Sequence, residues 1–283
     1  MDVFRAAERV SAIFRRKVRS LVNFLVTLYL RRFLILEMAK RDVASHHVGS
    51  FLGFFWTIIN PLILICVLWV VFSVGFKVAP ARGVAFAVWL TAGMAIWTMF
   101  VEVLNGSTGV IVSHSYLVKN VLFPLSILPV VKLLAAFATH LVFVLILIVL
   151  IIIDGLPFSL YWFQSLYYLG AMAVLALGIS WLTASLNVFI KDTAQIVAIL
   201  VQIGFWATPI FWDIEIMPEN LQFLFRSNPM FYVVQGYRDS FLYSVPFWHR
   251  WELTLYFWGV TALVTVTGAL VFKRLRPHFA DVV

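Results

Sequence analysis

One carboxylate lies well inside an apolar stretch of this chain, and its position is the clearest chemical signal in the sequence. Glu102 belongs to a nearly uncharged run that begins at Val84, and it stands three residues before Asn105. An ionisable side chain inside a membrane segment usually lines a hydrated path, because lipid does not solvate charge. A long side chain near the end of a segment can instead extend toward the headgroups. Glu102 is therefore a candidate for a hydrated interior, with snorkelling as the alternative.

Other patterns that would indicate catalysis are missing from the sequence. The glycine-rich stretch 106–109 lacks the lysine and the preceding strand of a phosphate-binding loop, so we do not expect this chain to hydrolyse ATP. His46 and His47 are adjacent and have no cysteine or carboxylate at a ligand spacing, which argues against a metal site. No G-x-S-x-G elbow and no paired carboxylates occur. We expect a non-catalytic chain that binds no metal or cofactor of its own.

The composition indicates which elements position these residues. Of 283 residues, 63% are apolar and 12% are charged, whereas soluble domains are about half apolar and about a quarter charged. A bilayer core about 30 Å thick accepts helices of roughly 20 apolar residues each. We therefore expect an all-α membrane protein that uses nearly the whole chain. The net charge of +8 is expected to set orientation rather than to bind nucleic acid.

Six uncharged or nearly uncharged runs are long enough to be transmembrane helices. They cover residues 51–76, 84–105, 133–153, 166–190, 193–212 and 251–272. Six spans place both termini on one side, together with most of the 21 Lys and Arg. The positive-inside rule then predicts cytoplasmic termini in a cell inner membrane. The predicted domains are a cytoplasmic N-terminal region, residues 1–49, and a transmembrane domain, residues 50–283.

The N-terminal region is predicted to contain an interfacial amphipathic helix. Its apolar residues recur every three or four positions, and basic residues occupy the other faces. Residues 21–38 could form a seventh span, but Arg31 and Arg32 near its middle would cost about 5 to 7 kcal/mol. We expect the basic face to meet anionic headgroups, with a plain retention anchor as the alternative. The basic residues concerned are Arg15, Arg16, Lys17 and Arg19.

The connection between the second and third spans is too polar to cross a bilayer and too apolar for an ordinary linker. We predict a short cytoplasmic helix there, which offers apolar anchors and a polar rim to a soluble partner. A loop lying against the bilayer is the alternative. The candidate docking residues are Ser115, Tyr116, Leu117, Val118, Lys119 and Asn120.

The connection between the fifth and sixth spans, residues 213–250, is rich in aromatic residues and prolines. Its stretches 218–226 and 230–243 are predicted to be helical, although each is too short or too polar to cross alone. Together they suggest an outer re-entrant hairpin with Asn228 and Pro229 at its turn. Non-helical backbone at membrane depth requires protein or a water-filled cavity around it, so this hairpin implies a pathway beneath.

Several tryptophans lie within the predicted spans. Their apolar faces could line a path for sugar rings, and packing against lipid is the alternative for any single one. The candidate channel residues are Trp56, Trp69, Trp97 and Glu102.

A series of short motifs follows in a fixed order along nearly the whole chain. It comprises Arg41-Asp42, Ser50-Phe51-Leu52-Gly53, Trp56, Pro61-Leu62, Gly93, Trp97, residues 117–124, Lys191-Asp192, Pro209-Ile210, Asn228-Pro229 and Arg238. This order resembles the permease subunits of ABC-2 type exporters of polysaccharides and polyol phosphates. The chain departs from that pattern at His46-His47, where the family commonly has Arg-Tyr.

The resemblance implies a homodimer that encloses a channel, with a soluble ATPase docked below each subunit to bind ATP and Mg. Residues 115–120 would be the coupling helix, and the N-terminal basic residues would flank a lateral gate for the lipid headgroup. Asn228, Pro229 and Arg238 would belong to an outer gate. The implied substrate is an undecaprenyl-linked polysaccharide of O-antigen or capsular type. Residues 236–242 resemble the O-antigen branch.

Three alternatives remain open at this point. A teichoic acid exporter of the same class would move a polyol phosphate, although spans that are almost free of basic residues lean toward a glycan. A self-sufficient secondary transporter would need its own coupling residues, and inverted repeats would support it. A membrane-embedded transferase would need paired acids or a surface histidine.

Overall fold

The computed structural model describes residues 23–45, 51–78, 83–119 and 123–283, and its regular structure is helical, which confirms the predicted all-α class. The basic residues Arg15, Arg16, Lys17 and Arg19, together with Asn120, His46 and His47, lie outside these ranges. The α-helices are α1 (Arg32–Ser45), α2 (Trp56–Trp69), α3 (Phe86–Thr108), α4 (Val110–Ser113), α5 (Ser115–Val118), α6 (Leu128–Ile153), α7 (Ser165–Phe189), α8 (Thr193–Ala207), α9 (Glu219–Arg226), α10 (Pro229–Arg238), α11 (Trp251–Leu275) and α12 (Phe279–Val282).

Short helical segments of other types extend or connect these helices. The π-helical segments are Val70–Gly75 and Asp239–Tyr243, and the 3₁₀ segments are Gly53–Phe55, Leu125–Ile127, Leu160–Gln164, Ile214–Ile216, Phe247–Arg250 and Arg276–His278. Residues 23–30 are also helical and precede α1. Within the described ranges, five helical segments are long and apolar enough to cross a membrane: Trp56–Gly75, Phe86–Thr108, Leu125–Ile153, Leu160–Phe189 and Phe247–Val282.

The helix in the fifth predicted span is shorter than the sequence suggests. The run 193–212 is uncharged, but α8 ends at Ala207 after 15 residues, about 22 Å of helix. Thr208 is extended, with φ −95° and ψ 130°, because the proline that follows disfavours the helical conformation of the preceding residue. Residues 208–212 therefore continue as non-helical chain.

Helix α3 forms the centre of the bundle and is buried along most of its length. It packs against α6, α7, α8 and α10. Small residues such as Ala92, Gly93 and Ala95 bring neighbouring elements close to its backbone, the usual means of helix packing in lipid. Helices α7 and α11 approach even more closely, since a Cβ atom at Gly268 would lie 2.1 Å from the Gly178 carbonyl oxygen.

Helix α1 packs along one face against the amino-terminal end of α6. Ile35 and Ala39 are buried against Ile127, Val130 and Val131. The other sides of this region leave large apolar residues exposed, which suits a helix in contact with lipid. The exposed residues include Leu25, Tyr29, Leu30, Phe33 and Leu36.

The two ends of the bundle differ in charge. We call the end that contains α1, α4, α5, Lys191 and the carboxyl end of α11 the basic end. The opposite end contains residues 154–164 and the segment 208–250, in which α9 and α10 form the predicted helical pair. Eight residues of α10, between Met230 and Arg238, are buried.

Candidate functional site

A cavity of about 460 Å³ lies at the basic end, between α1, α2, α3 and α6. Glu102 reaches it from the last turns of α3, and Trp56 reaches it from the first turn of α2. The structure thus brings two of the predicted channel residues to one site. We call this space the Glu102 cavity; its polar lining residues are Asp42, Thr57, Asn60, Thr98, Glu102, Asn105, Lys132 and Thr139.

Within the described ranges, the carboxyl group of Glu102 pairs with no Lys or Arg side chain. Its hydrogen-bonding neighbour is Thr139, one helix away on α6. The amides of Asn60 and Asn105 are exposed and make no hydrogen bond with the part of the chain that the structure describes. The cavity therefore presents donors and acceptors that are available to a polar ligand.

Lys132 borders the cavity and is already paired. Nζ of Lys132 on α6 lies 2.5 Å from Oδ1 of Asp42 on α1, and each side chain is 16% exposed. The alkyl part of Lys132 packs against Gly106, where a Cβ atom would lie 3.3 Å from Cδ of the lysine. This ion pair ties α1 to the membrane bundle beside the cavity.

The other two predicted channel tryptophans lie elsewhere. Trp97 is buried in the core against Phe100 and Phe205, with ring centroids 5.7 and 6.2 Å apart. Trp69, the last residue of α2, is 40% exposed. Neither lines the Glu102 cavity.

The predicted coupling segment consists of a single helical turn, Ser115–Val118, followed by Lys119. Val118 is buried, and Leu117 packs partly against the same cluster as Val110 and Ile111. Tyr116 is 66% exposed. Of the apolar anchors expected from the sequence, Tyr116 is thus the one that faces outward, beside the exposed Lys119.

At the opposite end, Arg238 binds the chain where α8 stops. Its Nη1 atom donates to the carbonyl oxygen of Pro209 at 2.7 Å, and Nη2 donates to that of Ile210 at 2.8 Å. Its guanidinium carbon lies 3.5 Å from the centroid of the Trp89 ring. The side chain is 1% exposed. Arg238 thereby provides donors for carbonyl groups of the non-helical chain that follows α8.

The turn at Asn228 and Pro229 contacts the same segment. Nδ2 of Asn228 donates to Oγ1 of Thr208 at 2.8 Å, while Oδ1 of Asn228 accepts from the backbone N–H of Met230 at 3.0 Å. Asn228 therefore caps α10. All three predicted outer-gate residues lie on the helix pair that is anchored to the end of α8.

Sequence patterns do not single out Lys132, Thr208 or His140 as members of these sites. Lys132 is a lone charge at the edge of an uncharged run, and this position could have indicated that it pairs with an acidic side chain. Thr208 precedes a proline, which could have indicated the helix end. His140 links three helices, because its ring nitrogens contact the carbonyl oxygen of Ala95 at 3.0 Å and the hydroxyl of Tyr237 at 3.2 Å.

Comparison with known proteins agrees with this architecture. Residues 34–242 match the family model described as ABC-2 type transporter. Two proteins from Klebsiella pneumoniae, both named O-antigen export system permease protein RfbA, are 23% and 22% identical over 250 residues, covering 88% of this chain and 94% of each relative. A protein of the same name from Myxococcus xanthus is 24% identical over 270 residues, covering 92% of this chain and 99% of the relative. The matched model spans most of the chain, which therefore belongs to the ABC-2 type transporter family.

Proposed function

We propose that this chain is the channel-forming subunit of an ATP-driven exporter that moves an undecaprenyl-linked O-antigen polysaccharide across the cell inner membrane. The observation that supports this most directly is the alignment with the O-antigen export permeases, which extends over nearly the full length of both partners. The family match, residues 34–242, also runs from α1 to the helix pair at the opposite end and stops before α11.

The distribution of charge supports an orientation with both termini in the cytoplasm. The basic end contains Lys119, Lys132, Lys191 and the cluster Lys273, Arg274 and Arg276. Positive residues near membrane spans are retained on the cytoplasmic side. On this orientation the Glu102 cavity opens toward the cytoplasmic leaflet, and α9 and α10 lie near the outer surface.

A homodimer with two soluble ATPase subunits is the proposed working unit. In the single chain α2 leaves most of its apolar surface uncovered, so lipid or a second copy must cover it. Tyr116 and Lys119 project from the basic end on a short turn, a shape that suits insertion into a cleft of an ATPase. Catalysis then belongs to the partner, and this chain converts the partner's movement into rearrangement of the bundle.

The helix pair α9 and α10 would act as the outer gate. It is joined to the end of α8 through Arg238 and Asn228, so a displacement of α8 would be transmitted to the pair through these hydrogen bonds. An exported polysaccharide that leaves the cytoplasm along the bundle would pass beneath this helix pair.

Co-purification tests the proposal. The chain would be isolated in detergent from its native host with an affinity tag, and co-eluting soluble proteins would be identified. We expect a protein with a Walker A motif in a one-to-one ratio, and ATP hydrolysis by the complex in lipid. Isolation of the chain without an ATPase, together with transport driven by an ion gradient alone, would reject it in favour of a secondary transporter.

A further inference from the structure

The size and lining of the Glu102 cavity fit a small polar molecule. Its volume of about 460 Å³ lies within the range of about 300 to 1,000 Å³ that is typical of small-molecule sites. Hydroxyl, amide and carboxyl groups line it together with the apolar side chains of Leu64 and Phe143. Sugar rings have this mixed character, since their hydroxyl groups lie at the edges and their C–H groups on the faces.

The polar groups of the cavity match the hydrogen-bonding capacity of sugar hydroxyls. The amides of Asn60 and Asn105 each offer donors and an acceptor, and neither has a partner in the described residues. The carboxyl group of Glu102 can accept hydrogen bonds from hydroxyl groups, which are stronger when the acceptor is ionised. Trp56, 38% exposed, adds an aromatic surface for the C–H face of a ring.

The charges of the cavity disfavour an anionic ligand. Asp42 neutralises Lys132, and Glu102 has no Lys or Arg partner in the described part of the chain. Whether Glu102 is ionised or protonated, the described residues of the lining offer no uncompensated positive charge. The amino end of α2 and the carboxyl end of α3 both border the cavity, and their partial charges have opposite signs. A phosphodiester would therefore lose hydration without gaining a cation.

We propose that the Glu102 cavity is a binding site for an uncharged sugar unit of the exported polymer, and that it discriminates against polymers with phosphate in the backbone. This inference rests on the proposed function and narrows its substrate from any lipid-linked polymer to neutral glycans. Glu102, Asn60 and Asn105 provide the hydrogen bonds, and Trp56 provides the stacking face.

Protection of a single thiol from alkylation tests this site. Cys66 is the chain's sole cysteine, so Cys66→Ala gives a background without thiols. Ala138→Cys then places a thiol in the cavity lining, and Phe158→Cys places one at an exposed position of the opposite end. The full-length protein in detergent would be alkylated with a small maleimide, with no addition, with the neutral trisaccharide mannotriose, or with a glycerol phosphate trimer.

We expect mannotriose to slow alkylation at position 138 about fivefold at roughly four times its dissociation constant, because one site in five stays open. Alkylation at position 158 should not change in any condition. The glycerol phosphate trimer at equal concentration should leave the rate at position 138 unaltered. The absence of protection by the saccharide, or equal protection by the phosphate trimer, would overturn the proposal.

Charge variants test the binding of a sugar unit and the discrimination against phosphate separately. Asn105→Lys adds an unpaired cation at an exposed helix end, where a basic residue is tolerated, and it should make the glycerol phosphate trimer protective. Glu102→Gln removes the anion but keeps the hydrogen-bonding shape, and it should retain protection by mannotriose. A phosphate trimer that still fails to protect the Asn105→Lys protein would show that charge does not determine selection.

Failure of this site and failure of the proposed function give different results. If an ATPase co-purifies and the saccharide does not protect position 138, the export function stands and the sugar site is wrong. If no ATPase co-purifies and the saccharide protects, the cavity binds sugar in a transporter of another class.

Discussion

The guanidinium carbon of Arg238 lies over the Trp89 ring, 3.5 Å from its centroid, while the group donates to the carbonyl oxygens of Pro209 and Ile210. The same group therefore joins α10, the start of α3 and the end of α8. Gly93 makes room for it, because a Cβ atom there would lie 3.0 Å from Nη2 of Arg238. A buried guanidinium with this many partners holds the helix pair in one position.

Arg238→Met should destabilise the protein strongly. The substitution leaves the carbonyl groups of Pro209 and Ile210 without donors in a water-poor environment, which costs about 2 to 5 kcal/mol in unfolding free energy. Arg238→Lys should recover a minority of this loss, because an ammonium group cannot reproduce the planar fork. Thermal unfolding in detergent measures the effect. Arg226→Met, at an exposed position of α9, is the matched control and should change stability little; equal losses for both would contradict the assigned role.

Gly268→Ala should disrupt the contact between α7 and α11. Its new Cβ atom would lie 2.1 Å from the backbone oxygen of Gly178, and a backbone group cannot rotate away as a side chain can. We expect a loss of about 1 to 3 kcal/mol, typical of overpacking, seen as a lower unfolding temperature. Gly259→Ala lies on the same helix and meets nothing within 4 Å. That control should be neutral or gain up to about 1 kcal/mol from helix propensity.

The ion pair of Asp42 and Lys132 should show strong coupling in a double-mutant cycle. Each single change, Asp42→Asn or Lys132→Met, leaves a largely buried partner without its opposite charge. The double variant removes both charges, so it should be more stable than the sum of the single losses implies, with an interaction energy of about 0.5 to 3 kcal/mol. Thermal unfolding of the four proteins gives this energy. Additive losses would mean that the two side chains do not interact in the membrane.

Tyr116→Asp and Lys119→Glu should release the proposed partner ATPase while the permease stays folded. Both side chains face outward from the short turn, so the changes act on docking rather than on the core. A loss of about 1.4 kcal/mol or more corresponds to at least about a tenfold lower affinity, measurable as the fraction of ATPase that co-elutes. Ile216→Asp at an exposed site of the opposite end should retain the ATPase.

Leu117→Asp would give a less direct test of the same docking. Leu117 packs partly against the cluster of Val110 and Ile111, so a carboxylate at this position also weakens the fold. Normal ATPase binding by both Tyr116→Asp and Lys119→Glu would show that the partner docks elsewhere.

The sequence predicted the helical class and most spans because lipid demands long uncharged runs, which composition shows directly. The helix pair was predicted as well, since prolines and Asn228 mark its limits: residues 218–226 and 230–243 were expected, and Glu219–Arg226 and Pro229–Arg238 are observed. The end of α8 at Ala207 was not predicted, although Pro209 explains why the helix stops there. An uncharged run does not reveal where a helix inside it stops.

The partners of single residues could not be predicted from spacing. Lys132 and Asp42 are 90 positions apart, and no periodicity relates them. Trp56 and Trp97 are two tryptophans with similar neighbours in the sequence. Trp56 nevertheless lines the cavity, whereas Trp97 is buried in the core. Which face of a helix meets a neighbour depends on packing between helices. The hydropathy of a face that meets another helix is the same as that of a face that meets lipid.

Because α8 offers only 15 helical residues, the protein should respond to the length of lipid acyl chains. A short helix beside longer neighbours draws the surrounding bilayer inward or tilts those neighbours, and each ångström of mismatch costs a fraction of a kcal/mol. In reconstituted membranes, shorter acyl chains should therefore relieve this strain and longer ones should increase it. The thickness of the host membrane would then act on the segment that Arg238 joins to α10, at the end of the bundle opposite to α5.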